Sequence, residues 1–492
     1  MKKLKNILIL GFSSLFIASC SDALDIVQDG EIYPENAIKT VANLREYLNG
    51  DIYGRVNNTN EIAFTSIFTD EVGIGPDNGG QAIELHRFQL NANSAEPAAL
   101  WNTQYALINR CNRLLEYSEL VTPTNALETA QKNAIIAEAR TLRAYAYLQL
   151  VSYFSVDPSN PNSLGVILTE TSENPLVNEP RLRVTNQLIY DLMEEDLLFA
   201  QNNLLPTTDY KFVTPNLVNA IRARMYLYRK DYVLAKQYAT QALALRPLVT
   251  NQNQYFSSWG DSGQGEIIFA ASRPSGGTWS NIASTWYFNV TNATGGCFLD
   301  MGRNLFNLYD QYPNDVRRIT WVDATAVINP DYLNDINYVE NDILPINKYP
   351  GKTSQPLRND LKLFRSSEMV LIIAECEVGS ATPNLVEAAT RVQSIRSARG
   401  TTQTLPVYAN SQQAWADILL ERRKELAFEG HRYIDIKRLS VLAGVPGIDR
   451  NVTDDQFLTL PLTLPVSDYR FTLPIPQLEI AGNVSIQQNP GY

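Results

Sequence analysis

The stretch from Leu419 to Leu439, LLERRKELAFEGHRYIDIKRL, constrains this chain most, because its apolar face also carries charge. Leu419, Leu426 and Tyr433 recur every seven residues, and Ile418, Phe428, Ile434 and Ile436 widen the stripe, so a helix here buries a broad face. Arg422 and Glu429 lie on the same side as Leu426. Glu425 and Glu429 stand four apart, where like charges repel along a helix unless Arg422, Arg432 or a group from elsewhere neutralises them. The pattern predicts a partly buried knot of charge that docks the C-terminal helices onto the rest of the fold and has no catalytic role. Gly430 marks an end or a kink, and Arg432 can pair with Asp435 at i,i+3 just beyond it.

The opposite end reads as a processing signal. Lys2, Lys3 and Lys5 precede an apolar run, Ile7 to Ile17, shorter than the roughly 20 residues a spanning helix needs. The run ends in Ile17-Ala18-Ser19-Cys20, which resembles the bacterial lipobox, where the cysteine sulfur receives a diacylglycerol before cleavage. Residues 1–19 are therefore expected to be a signal peptide, Cys20 the lipidation site, and residues 20–45 an acylated terminus and polar tether with Asp22, Asp25 and Asp29. Each buried CH₂ contributes about 0.8 kcal/mol and two acyl chains suffice for stable attachment, so the mature chain is expected to be anchored to a membrane without crossing it. Cys111, Cys297 and Cys376 then remain, an odd count that argues against a disulfide framework in an exported protein. Cys111 and Cys376 fall inside helical patterns, where a small buried hydrophobe fits.

From Pro97 the chain is patterned as helix. Trp101, Tyr105, Ile108, Cys111 or Asn112, and Leu115 share a face until Pro123 breaks it. A second helix from about Asn125 to Phe154 stripes Ile135, Ile136, Ala139, Leu142, Ala146, Leu150 and Phe154 beside Arg140 and Arg143, which predicts an antiparallel pair. A third is expected around Gln187 to Leu204. Between Asn219 and Pro247, Tyr226, Ala235, Ala242 and Pro247 fall at the spacing of a tetratricopeptide repeat, with Ala223 small enough for a tight crossing. Ser366 to Gly400 repeats the style around Ala374 and Ala388. The expected fold is mainly α: one domain over 46–492, with tetratricopeptide-like helical hairpins at about 97–247 and 361–440 forming a scaffold, and a large irregular, loop-rich insertion at about 250–356.

That insertion holds four of the six tryptophans, Trp259, Trp279, Trp286 and Trp321. An indole joins a broad apolar face to one polar handle, which suits stacking on a sugar ring or a peptide side chain, and loops are where such contacts concentrate. Trp279, Trp286 and Tyr287 are the leading ligand candidates, followed by Trp321; for each, packing of the loops onto the helices is the alternative. Ser66 to Gly80, SIFTDEVGIGPDNGG, lacks helical periodicity and reads as a long loop, either a simple connector or one in which Asp70 and Asn78 touch a ligand. No Gly-Lys-Ser/Thr closes its glycines into a phosphate cradle.

Several chemistries are disfavoured. The chain carries 41 basic and 52 acidic residues, a net charge of -11 that becomes -14 once the leader's three lysines are removed, and no tract supplies the basic footprint nucleic acid requires. Two histidines, His86 and His431, leave no multi-histidine metal site, and neither lies near a GxSxG elbow. The acid pairs Asp70-Glu71 and Asp454-Asp455 fix no separation of the kind glycoside hydrolysis requires. Asp331, Asp335, Glu340 and Asp342 lack a calcium-loop pattern and read as a solvated patch. No enzyme activity, metal or cofactor is assigned. The proline-studded end from Asp468 to Tyr492 is expected to run extended over the surface.

Several segments, in order, resemble the SusD/RagB family of outer-membrane nutrient-binding lipoproteins over nearly the whole chain. They are the lipobox at Ile17 to Cys20, AEARTLRAYAYLQLVSYF from Ala137, ARMYLYRKDYVLAKQYATQAL from Ala223, FRSSEMVLIIAECE from Phe364, IRSARG from Ile395, ERRKELAFEGHRYIDIKRL from Glu421, and LPIPQLEI with QQNPGY at the end. Ser155-Val156-Asp157-Pro158 departs from the glycine-containing turn more usual there. The resemblance implies four tetratricopeptide-like pairs that support an irregular ligand face. It also implies a lid-like position on a TonB-dependent (SusC-like) transporter at the cell surface, capture of oligosaccharides or, in some branches, peptides, and no bond-breaking chemistry. Ser21 and Asp22 partly fit the acidic export signal of surface lipoproteins. No ligand residue transfers by motif. A protein-interaction scaffold without a small ligand is the further alternative.

Overall fold

The computed structural model describes residues 38–172, 180–273, 282–286, 296–352, 355–356, 358–401, 403–455 and 461–492. Paired helices make the frame. Helices α1 (Val41–Tyr47) and α2 (Thr59–Phe68) lead into the long pair α3 (Ala95–Leu120) and α4 (Ala126–Phe154). Then come α5 (Asn186–Asn203), the pair α6 (Pro215–Tyr228) and α7 (Tyr232–Leu245), and three short helices, α8 (Gln252–Trp259), α9 (Arg303–Asp310) and α10 (Val316–Trp321). The pair α11 (Ser366–Gly379) and α12 (Leu385–Ala398) is followed by α13 (Ser411–Glu425) and α14 (Arg432–Ala443).

Local chemistry sets where these helices begin. Asn125, Asp231, Asn384 and Asn410 each accept a backbone N–H of the first turn they precede. Thr214 does the same for α6, with Pro215 at its first position. Each such cap contributes about 1 kcal/mol. The second half of α4 is buried almost all round, so this helix is the hydrophobic axis of the molecule, and residues from Ile38 to Ile486 join one core around it. Ala223, Ala235, Ala239 and Ala242 are buried where α6 and α7 cross, as the repeat spacing requires. Gly379 meets the ring of Tyr232 so closely that a Cβ there would overlap it, which lets α11 lie flat on α7.

Every sheet is a two-stranded antiparallel ribbon. One pairs residues Ile267–Ala271 with Leu361–Arg365, placing Ile267 opposite Arg365; another pairs Val72–Ile74 with Leu299–Met301. Such short ribbons do not form a core of their own. They fix where long connections return to the helices.

Four expectations need correction. The Leu419 to Leu439 stretch is two helices, because Phe428 and Gly430 both adopt positive φ (62° and 86°) and reverse the chain between α13 and α14. Left-handed backbone is costly for phenylalanine; burial of its ring and an edge contact to Trp286 offset the cost. Ser66 to Gly80 is not one loop, since Ser66 to Phe68 finish α2 and Val72–Ile74 is a buried strand. Residues 41–45, expected in the tether, belong to the fold, because α1 packs Leu44 into the core. The chain end does not stay on the surface: Phe471, Leu473 and Ile475 are buried, Leu473 N donates to Tyr153 O (2.9 Å), and Asn489 Nδ2 donates to Phe154 O (2.8 Å). Prolines prevented a sheet there, but the apolar residues between them still had to leave water. Among the described residues, no helix is long and apolar enough to cross a membrane.

Candidate ligand-binding face

The expected charge knot exists, and its partners come from far along the chain. Glu425 accepts from Arg365 (2.6 Å), Arg399 (2.7 Å) and Arg317 (3.0 Å). Glu429 accepts from Arg365 (2.8 Å) and from the Lys348 ammonium, and Glu421 from Arg317 (2.7 Å) and Arg396 (2.9 Å). Glu266 ties Arg365 and Arg399 together from the neighbouring ribbon. Burial alone would raise the Glu425 carboxyl, yet Arg399, Arg365 and Arg317 hold it well below the usual carboxylate range. Neither expected local partner serves it: Arg422 lies between Glu375 (3.0 Å) and Asp435 (2.7 Å), and Arg432 pairs with Asp70 rather than Asp435. These groups are shut away from solvent and tie α13 and α14 to the ribbon, which is a structural role.

Three tryptophans of the insertion, Trp259, Trp286 and Trp321, pack around Lys348 and Tyr349 beside this knot. Trp286 and Trp321 are 1% and 0% exposed, and Trp259 is buried beside them. Lys348 Nζ sits 3.7 Å from the centroid of Trp321 and 4.5 Å from that of Trp259, while Trp286 stacks on Tyr349. The expectation that Trp286 and Trp321 meet a ligand is therefore corrected. Their rings fill the space between the charge knot and the insertion folded over it, and Trp321 with Trp259 screens the buried Lys348 ammonium by cation–π attraction. Burial pushes Lys348 down to about 7, against the pull of Glu429.

Asp70 is also structural. It accepts two hydrogen bonds from Arg432 (2.7 and 2.8 Å), and Arg423 and Arg432 hold its carboxyl below the usual range despite burial. Its neighbour Glu71 is in the opposite condition. Burial pushes Glu71 up to about 7, only partly offset by the Phe428 N–H it accepts (3.1 Å), and the Asp70 charge adds to the rise. A carboxyl with a raised folded-state pKa contributes stability that is complete below its unfolded pKa, about 4.3, and lost as pH rises through 7. Glu71→Gln, which resembles the protonated acid, is thus expected to unfold like the parent near pH 4. Above pH 7 it should be more stable by up to about 3 kcal/mol. Urea titrations at pH 4 and 8 check this, and an equal or lower stability at pH 8 would contradict it.

Asn78 shapes the surface without being part of it. Its Nδ2 donates to Gln81 O and Phe298 O (both 2.9 Å) and its Oδ1 accepts from Gly80 N (3.0 Å), so the side chain is consumed and 2% exposed. Gly75 N donates to Phe298 O (2.9 Å), Asp77 N to Cys297 O and Cys297 N to Asp77 Oδ2 (both 3.1 Å). Gly79 and Gly80 supply the positive φ the turn needs. The result is a rigid 75–82 turn that presents Asp77, Gly79, Gly80 and Gln81 to solvent beside the strand that ends the insertion's first half.

Two segments, 274–281 and 287–295, hold Trp279 and Tyr287; both residues lie outside the described residues, as does Cys20. The ends of these segments are fixed. Arg273 Nη2 donates to Val56 O (2.9 Å), Ile282 and Trp286 are buried, and Phe298 N donates to Trp286 O (2.9 Å). In the acidic patch, Asp335 accepts from Asn329, Asn337 and Asn341, and Asp342 accepts from Arg303. Among the described residues no group of three or more His, Cys, Asp or Glu side chains is placed to hold a metal. Burial and the cations Arg224 and Arg422 push His431 well below the ordinary histidine value, so it is a neutral interior group.

Comparison with known proteins agrees with this architecture. Residues 325–492 match the model of the SusD family, and residues 24–227 match one described as starch-binding associating with outer membrane. The chain is 24% identical to SusD-like protein P2 of Formosa agariphila, over 97% of this chain and 98% of that protein. A SusD superfamily protein from Bacteroides thetaiotaomicron superposes with a TM-score of 0.75 at 25% identity, over 92% of this chain and all of that one. A putative sugar binding protein from Bacteroides vulgatus shares the fold with a TM-score of 0.74 at 22% identity, over 93% and 99% of the two chains.

Proposed function

The chain belongs to the SusD/RagB family, and from that membership we propose that it is a lipoprotein, anchored through Cys20, that captures oligosaccharides at the cell surface and passes them to a partner TonB-dependent outer-membrane transporter. The starch-binding description of the matched outer-membrane family supports a sugar ligand, as does the sugar-binding name of the similar Bacteroides vulgatus protein. The observation that carries the reading is the 75–82 turn stapled to Cys297 and Phe298, in the same insertion whose buried Arg273, Ile282 and Trp286 flank Trp279 and Tyr287 in sequence. A turn held this tightly loses little order when an extended sugar chain binds against it. Trp279 and Tyr287 are the residues we assign to stacking on sugar rings. Binding is proposed to proceed without bond cleavage and without a cofactor.

Affinity electrophoresis against a panel of polysaccharides tests this. The double variant Trp279→Ala, Tyr287→Ala is expected to lose at least about tenfold in affinity for the retained glycan, equivalent to about 1.4 kcal/mol, with its melting temperature nearly unchanged. Retention unaltered by the double substitution would overturn the assignment.

A further inference from the structure

A cleft of about 520 Å³ shares no lining residue with the 75–82 turn or the charge knot. It lies between the start of α6, the end of α7 and the ribbon strand Ile267–Ala271, and Ile268 forms part of its apolar wall. Its volume falls in the range of about 300–1,000 Å³ usual for small-molecule sites. Thr207, Thr208, Tyr210, Asn216, Arg246 and Gln264 supply its polar lining, and no carboxylate is among the lining residues.

These groups are held in place from outside the cleft. Tyr210 O accepts from Ala270 N (3.0 Å), which fixes the aromatic residue at the edge of the ribbon. Gln264 Nε2 donates to Ile267 O (3.1 Å), Thr207 Oγ1 accepts from Asp209 N (3.3 Å), and Arg246 O accepts from Ser366 Oγ at the start of α11 (2.7 Å). Arg246 differs from two sets of buried arginines. Arg183 and Arg450 give guanidinium N–H groups to backbone carbonyls, and others meet carboxylates. The buried arginines Arg143, Arg224, Arg317, Arg365, Arg399 and Arg422 each face a carboxylate. The half-buried Arg246 pairs with none among the described residues, and burial alone lowers its pKa. A partly desolvated guanidinium without an anion is costly, and its planar fork suits a carboxylate or sulfate. Hydroxyls, side-chain amides and one aromatic ring are the groups that recognise the rest of a sugar.

We propose that this cleft binds a single anionic sugar unit, a hexuronate or a sulfated hexose, with its acid group on Arg246, its hydroxyls on Asn216, Gln264 and the two threonines, and one ring face against Tyr210. Its lining residues include neither the 75–82 turn nor Trp279 and Tyr287. It would let the protein favour acidic glycans whatever the aromatic segments contact.

Titration calorimetry of the full-length mature protein at low ionic strength, with glucuronate, glucose 6-sulfate, glucose and inorganic sulfate as probes, tests the proposal. At least one anionic sugar is expected to bind tenfold or more tightly than glucose and than inorganic sulfate, and comparison of the two distinguishes a carboxylate from a sulfate site. Arg246→Ala is expected to remove that preference and Arg246→Lys to retain part of it. Tyr210→Ala is expected to weaken the same sugar with the melting temperature held. Equal binding of glucose, equal binding of inorganic sulfate, no binding by any probe, or an Arg246→Ala variant that still prefers the anionic sugar would each overturn it. The probes are single sugar units and the readout follows Arg246, so failure of oligosaccharide capture at the loop face leaves this result intact, and the reverse holds.

Discussion

Arg365→Met is expected to destabilise the protein by about 3–5 kcal/mol, the cost of leaving buried charge without its partner. Arg365 contacts the carboxylates of Glu266, Glu425 and Glu429 within 2.9 Å and is 2% exposed. Methionine fills much of the volume but returns no positive charge to three interior carboxylates. Arg399 and Arg317 still reach Glu425, and Lys348 still reaches Glu429, which keeps the loss from being larger. The comparison is Arg391→Ala, which removes an i,i+4 pair with Glu387 in which both side chains are about a third exposed; it should cost under about 1 kcal/mol. Urea midpoints of the two variants make the test, and equal midpoints would refute the structural weight given to the knot. The double variant Arg365→Met, Glu429→Gln should recover part of the loss, because the two groups act on each other directly.

Trp321→Ala should be of similar size, about 3–5 kcal/mol, for a different reason. It removes a wholly buried indole that packs against Trp259 and Tyr309 and faces the Lys348 ammonium, leaving a cavity and an exposed edge of the charge network. The folded fraction should keep its glycan affinity. The opposite pattern, loss of sugar with the melting temperature held, is the outcome expected of Trp279→Ala, Tyr287→Ala and would show that Trp321 is not the interior residue described above.

The helical hairpins were readable because their information is local. The third helix, read as Gln187 to Leu204, is Asn186–Asn203, and the capping residue Asn125 of α4 was already at the edge of the segment assigned to it. Apolar spacing fixes a helix's buried face wherever it lies. The binding candidates were harder because a tryptophan in a weakly periodic segment has the same sequence signature whether it is covered or exposed. Trp286 and Trp321 are covered by Tyr349, Phe428, Tyr255 and Tyr309, which come from four separate segments. Asn78 misled for a related cause. Its amide is polar enough for a ligand, but the backbone of Phe298, 220 positions away, takes it first.

Residue type and spacing along the chain were enough for the helical frame and for charge on a buried face near Glu425, and the order of several segments carried the resemblance to the SusD/RagB family. Which cations neutralise that charge, which indoles are interior, that the chain end is threaded into the core, and that Arg246 faces a cleft without a counter-ion among the described residues became visible only in the folded chain. Those outcomes depend on groups separated by tens to hundreds of positions. Their pairing is chosen by the cost of leaving charge or apolar surface unmatched when the elements close together, and spacing along the chain does not record it.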